Sequence, residues 1–127
     1  MKWAITLVIG ANETIESRFK DIFGLLTAGP QEYTFLISDI EAFGEMGDQL
    51  SEKASLRRGP FSVSKEELLT LITEQGQIIE LDLELFNGHN FEIIVREGTF
   101  FDVLGDSEFP PEKIGDFSVQ NVRNFGY

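Results

Sequence analysis

Ile78-Ile79-Glu80-Leu81-Asp82-Leu83-Glu84-Leu85-Phe86-Asn87-Gly88-His89-Asn90-Phe91-Glu92-Ile93-Ile94-Val95 is the stretch that decides the fold, and with Arg96 to Leu104 it reads as three consecutive antiparallel strands. Ile79, Leu81, Leu83 and Leu85 alternate with Glu80, Asp82 and Glu84, the pattern of a strand with one dry and one wet face. Asn87-Gly88 then signals a hairpin. A two-residue Asn-Gly turn would set Glu92 opposite Leu83 and put a charge on the dry face. A three-residue loop, Asn87-Gly88-His89, pairs Leu85 with Phe91, Leu83 with Ile93 and Leu81 with Val95. That register is expected, because a slip by one residue sends a whole apolar set to the wrong side. It asks His89 to take positive φ, which His tolerates better than most residues. A second loop, Arg96-Glu97-Gly98, is expected to pair Val95 with Thr99, Ile93 with Phe101 and Phe91 with Val103.

The wet face of this meander carries Glu80, Asp82, Glu84, Glu92 and Asp102, and only Arg96 offsets them nearby. Ile94 and Phe100 fall on the same face, an apolar island inside the acidic field. Carboxylates opposite one another across strands repel, and a face that needed only to be wet could interleave lysines. The surface is therefore a candidate docking site for a basic protein partner, with aromatic and aliphatic anchors ringed by charge. The plainer reading is an ordinary solvated face in an acidic protein.

Composition agrees in sign. The chain has 127 residues and a net charge of −12, from 22 acidic against 10 basic side chains. Such a chain repels nucleic-acid phosphates and anionic membranes, and attracts cations. The absence of cysteine excludes disulfides, thiolate metal sites and cysteine nucleophiles, and the single histidine excludes a multi-histidine metal site within one chain. Carboxylates on a flat strand diverge from any single point, and no loop has calcium-ligand spacing, so no metal or cofactor is expected. His89 lacks a visible nucleophile and orienting acid, so no catalytic residue is assigned. Gly10-Ala11-Asn12 lacks a phosphate-binding fingerprint, and Glu13 and Glu16 would repel an anion there. Arg57-Arg58, the only adjacent basic pair, reads as a solvated loop before Pro60.

Outward from the meander, residues 2–9 read as a first strand with Trp3, Ile5, Leu7 and Ile9 on one face. Residues 1–11 also resemble a short signal peptide, but a helix pattern follows without a spacer, which favours the strand. Asn12 is a plausible N-cap for a helix carrying Ile15, Phe19, Ile22, Phe23 and Leu26 at helical spacing and ending at Gly29-Pro30. Tyr33 to Ser38 reads as a second strand, parallel to the first across that helix. Ser38-Asp39-Ile40-Glu41 matches a capping box for a short helix to Met46, and Ser64-Lys65-Glu66-Glu67 matches a second for a helix stopped by Gly76. Residues 48–60 carry little pattern, 105–115 read as a loop marked by Phe109-Pro110-Pro111, and 117–125 suggest an edge strand. Phe43, Phe61, Phe86, Phe100, Phe109, Phe117 and Phe125 have no obvious place in the core.

The expectation is a single α+β domain over residues 1–127: a mixed, mostly antiparallel sheet built from a β-α-β unit, short helices and a three-stranded meander, with helices on one face. The function expected is a small cytoplasmic, non-catalytic protein-binding module, an inhibitor or immunity-type protein that neutralises a basic partner through Glu80, Asp82, Glu84, Glu92, Asp102, Ile94 and Phe100. Nucleic acid and membrane are not expected partners, and the chain is expected to be a monomer or homodimer. Two alternatives remain: a small-molecule binder or enzyme with a pocket between helices and sheet, and a structural homodimer.

Overall fold

The computed structural model describes residues 3–7, 9, 11–57, 59–74 and 76–107, together with the backbone of 119–124. Strands β1 (Trp3–Leu7), β2 (Thr34–Phe43), β3 (Phe61–Val63), β4 (Gln77–Phe86), β5 (Asn90–Arg96), β6 (Phe100–Gly105) and β7 (Val119–Asn124) form one sheet. Helices α1 (Ile15–Leu26), α2 (Glu45–Leu56) and α3 (Lys65–Thr73) complete the α+β fold. The strand order is β3-β2-β4-β5-β6-β1-β7. Among the described residues every pairing is antiparallel, so no parallel neighbours make the sheet mixed. β1 and β2 do run in the same direction, as a helix crossover requires, but β6, β5 and β4 lie between them.

The first hairpin of the meander adopts the expected register: Leu85 faces Phe91, Leu83 faces Ile93 and Leu81 faces Val95. The positive φ of its loop falls on Gly88 (+104°), not on His89. The second hairpin is displaced by two residues from expectation, with Val95 opposite Phe101, Ile93 opposite Val103 and Phe91 opposite Gly105. The loop there is Glu97-Gly98-Thr99, with positive φ at both Glu97 and Gly98. β4 anchors it: the Gly98 N–H donates to the Ile79 carbonyl at 2.9 Å, and the Glu97 N–H to the Glu80 carboxylate at 3.2 Å. An even displacement keeps every side chain on its expected face.

The dry side is built from cross-strand rows. Ile37, Leu83, Ile93, Val103 and Ile5 form one, Ile40, Leu81, Val95, Phe101 and Leu7 another, and all are buried. Helices α1 and α3 close this side with Phe19, Ile22, Phe23, Leu68, Leu71 and Ile72. Phe19 meets Phe101 edge-on, and Phe23 packs against Phe35 at 5.5 Å between ring centres. At the third row, Phe91 and Trp3 both flank Gly105, and a side chain on Gly105 would enter the Trp3 ring. Trp3 thus lies over the glycine, 1% exposed, and its indole N–H donates to the Ser107 hydroxyl.

Several local expectations are corrected. α1 is capped by Thr14, which exchanges hydrogen bonds with Ser17, and not by Asn12. The capping box at Ser64 and Glu67 forms as expected. The one at Ser38 does not, because β2 runs on to Phe43 through an irregularity between Ile37 and Asp39. The extra residue shifts the alternation by one, so Phe35 and Ile37 point inward before it and Ile40 and Ala42 after it. A matching irregularity leaves Ile79 without a partner on β2, and Ile78 (1% exposed), rather than Ile79, enters the core.

Residues 48–60 contain most of α2, which lies against the second half of β2, where the short β3 offers no partner. Ser51 bonds both the N–H and the C=O of Ala42, satisfying that open edge. Gly44 supplies no capping side chain, so the Glu74 carboxylate at the end of α3 accepts from Met46 and Gly47 N–H at 2.8 and 2.9 Å. Phe61, hard to place from sequence, is buried, whereas Phe43, Phe86 and Phe100 are exposed. The expected edge strand is β7, while Phe109, Phe117 and Phe125 fall outside the described residues.

Two substitutions probe this architecture. Leu83→Ala should lower unfolding free energy by roughly 2–5 kcal/mol in urea titration, with little change in the denaturant slope. Glu74→Ala should cost about 0.5–2 kcal/mol, as loss of a helix cap does, with faster amide exchange at Met46 and Gly47.

Candidate functional site: the open face of the sheet

Side chains alternate across a sheet, so the residues between the core rows form rows of their own on the opposite face. One runs Asp39, Asp82, Ile94, Asp102, Thr6. The next runs Leu36, Glu84, Glu92, Leu104, Ala4. Toward one end, Glu41 stands opposite Glu80 and Arg96 opposite Phe100. All of Glu80, Asp82, Glu84, Glu92, Asp102, Ile94 and Phe100 therefore share one face. Phe100 is 53% exposed and the others are half-buried by their neighbours. Asp39 and Glu41 extend the acidic field onto β2, and Leu36 and Leu104 extend its apolar part. Reading residues 38–46 as a helix concealed the two acids. The usable signal was apolar-polar alternation that changes phase at Ser38 but does not stop.

The electrostatics are those of a crowded anionic surface. Arg96 is the only cation in these rows among the described side chains. Its guanidinium stands 3.5 Å from Glu80 and 3.9 Å from Asp82, and it also donates to the carbonyls of Val95 and Leu81. Asp102 accepts the Thr6 hydroxyl at 2.6 Å. Glu84 and Glu92 stand directly opposite each other, the arrangement in which like charges cost most.

One group responds. Burial, a hydrogen bond with Asp82 and the negative charges of Asp82 and Glu84 raise the Glu92 carboxyl from its usual 4.5 to about 7, against a smaller opposite pull from Arg96. The hydrogen bond has a plain meaning. Asp82 Oδ1 is buried and has no hydrogen-bond donor among the described residues. A proton on Glu92 is what its hydrogen bond with Asp82 requires.

The other sequence candidates are dispersed. His89 is an exposed hairpin residue with Nδ1 3.6 Å from Asp106. Arg57 ends α2, while Arg58 and Gly10 lie outside the described residues. Clefts of about 400, 400 and 500 Å³ open among the helices and loops, away from the acidic rows. In the cleft lined by Thr14, Glu16, Ser17 and Lys20, Thr14 and Ser17 are engaged in the helix cap and Glu16 accepts the Ile78 N–H at 3.3 Å. Among the described residues no cluster of His, Asp and Glu could hold a metal ion, and no helix is long and apolar enough to cross a membrane. No protein-family model, curated protein or solved structure matches this chain.

The raised Glu92 carboxyl has a measurable consequence. The folded state binds this proton more tightly than the unfolded chain does, so its stabilisation is complete below pH 4.5 and is lost as pH rises through about 7. Thermal unfolding of the wild type should accordingly show a midpoint that falls between about pH 5 and 8. Glu92→Gln, which keeps a donor for Asp82 without the titration, should flatten that fall and be the more stable protein at pH 8.

Proposed function

We propose that this chain is a small, non-catalytic binding module that takes a basic protein partner on its open acidic sheet face, in the manner of an inhibitor or immunity-type protein. The observation that supports this is the register that gathers Asp39, Glu41, Glu80, Asp82, Glu84, Glu92 and Asp102 on one surface, with Arg96 the one cation among its described side chains. Like charges so arranged disfavour the isolated fold, and a cationic surface relieves them. The field they make accelerates encounter with such a partner on the order of 10- to 1,000-fold. Ile94, Leu104 and exposed Phe100 offer apolar contact within the same area. A cytoplasmic setting belongs to the proposal, and a chain without cysteine suits it.

The test is capture of partners from the native host at low and high salt, with the wild type and with Asp82→Lys/Glu84→Lys. The wild type should retain a basic protein whose recovery falls steeply with salt. The double variant, shown to be folded by circular dichroism, should lose at least about tenfold in association rate with the identified partner. Undiminished binding by the variant would remove this face from the function.

A further inference from the structure

The two helices that close the dry side leave a cleft of about 500 Å³ between them, a volume usual for small-molecule sites. Lys20, Phe23, Gly24 and Ala28 line it from α1 and the turn after it, and Lys65 and Leu69 from α3. Its charge is the reverse of the chain's. The protein carries a net −12, yet two lysines and no carboxylate line this cleft. Neither ammonium has an ion-pair or hydrogen-bond partner among the described residues. The Thr27 hydroxyl, the other polar side chain of the lining, is spent on the Phe23 carbonyl at 2.7 Å. Leu69 stays 40% exposed there.

Gly24 is a separate sign. It sits inside α1, where every residue except proline would hold the helix better. A methyl group at this position would meet nothing within 4 Å, so no neighbour in the chain calls for glycine. What the bare Cα provides is width in the cleft. Further clefts adjoin it, one sharing Lys20 and the other sharing Thr27, Gly29 and Lys65. These two carry Glu16 and Glu32, so the stretch free of acids is confined to the middle. A long acidic segment lying along the groove would meet both carboxylates, and a compact anion would meet neither.

We propose that the cleft between α1 and α3 is a binding site for a small amphipathic anion, a carboxylate carried on an aliphatic or aromatic body. The lysine ammoniums hold the carboxylate through charge-assisted hydrogen bonds. The apolar body covers Leu69, Ala28 and the Gly24 backbone, and so takes the exposed leucine out of water. The ligand comes from solution, since a chain of this net charge is repelled by anionic membranes. The site lies on the helical side of the sheet and is independent of the acidic face.

The test needs no protein partner, so its failure leaves the docking face untouched. Amide NMR of the full chain titrated with octanoate should show saturable shifts centred on Lys20, Gly24, Ala28, Lys65 and Leu69. Octanol, with the same apolar body and no charge, should bind at least about tenfold more weakly. Lys20→Gln/Lys65→Gln should lose that preference. Gly24→Leu, which fills the cleft with a better helix former, should keep a thermal midpoint no lower than the wild type's and abolish the shifts. Shifts that bypass these residues, equal binding of octanol, or undiminished binding by Gly24→Leu would each overturn the site. Tighter binding of an acidic helical peptide, with shifts reaching Glu16 and Glu32, would overturn it in favour of a partner segment. Shifts that grow with protein concentration alone would overturn it in favour of a contact between two copies.

Discussion

The rest of the structure depends on the pairing of β4 with β5, in which leucines and isoleucines lie on one side and carboxylates on the other. Because side chains alternate with a period of two, the same register that buries Leu81, Leu83 and Leu85 must also align Glu84 with Glu92. Hydrophobic burial and anionic crowding are then two consequences of one geometry. Burial prevails: a fully buried leucine is worth roughly 1.5–3 kcal/mol, whereas a cross-strand pair of half-solvated like charges costs on the order of 0.2–1 kcal/mol. A register shift that separated those charges would expose the core, so the pairing that aligns them is kept.

The edges of the sheet are managed by different means. β3 covers only Phe35 to Ile37 of β2. Beyond it the strand is protected by α2, whose Ser51 side chain takes both backbone groups of Ala42. α2 in turn begins at a glycine without a capping side chain and borrows the carboxylate of Glu74 from α3. The helical layer and the β2 edge are thereby linked through a short series of polar contacts, while the meander rests on apolar rows. Apart from Glu80, whose carboxylate holds the second turn of the meander, the acids of the open face take part in neither.

Much of the site was legible in the chain because Glu80 to Glu84 and Glu92 lie in unbroken alternation, where position along the strand dictates the face. The acids of β2 were not. A single extra residue near Ser38 reverses the phase, and Ser38-Asp39-Ile40-Glu41 then carries the local signature of a helix start. Capping motifs are local and weak, and a neighbouring strand with Leu81 and Leu83 to bury outweighs them. The second hairpin was misplaced for a similar reason: its turn is held by the Ile79 carbonyl and the Glu80 carboxylate, contacts from a strand two positions away in the sequence of elements.

By itself the sequence determined the two-faced ribbon, the α+β class, the helix at Ile15 to Leu26 and the capping box at Ser64, since each rests on residues within a few positions of one another. Only tertiary structure decided the strand order, the phase reversals at Ser38 and Ile79, the burial of Phe61 and the lone acceptor of Asp82. Those features come from groups distant in the chain, and whether a carboxyl keeps its proton is set by what the fold places beside it.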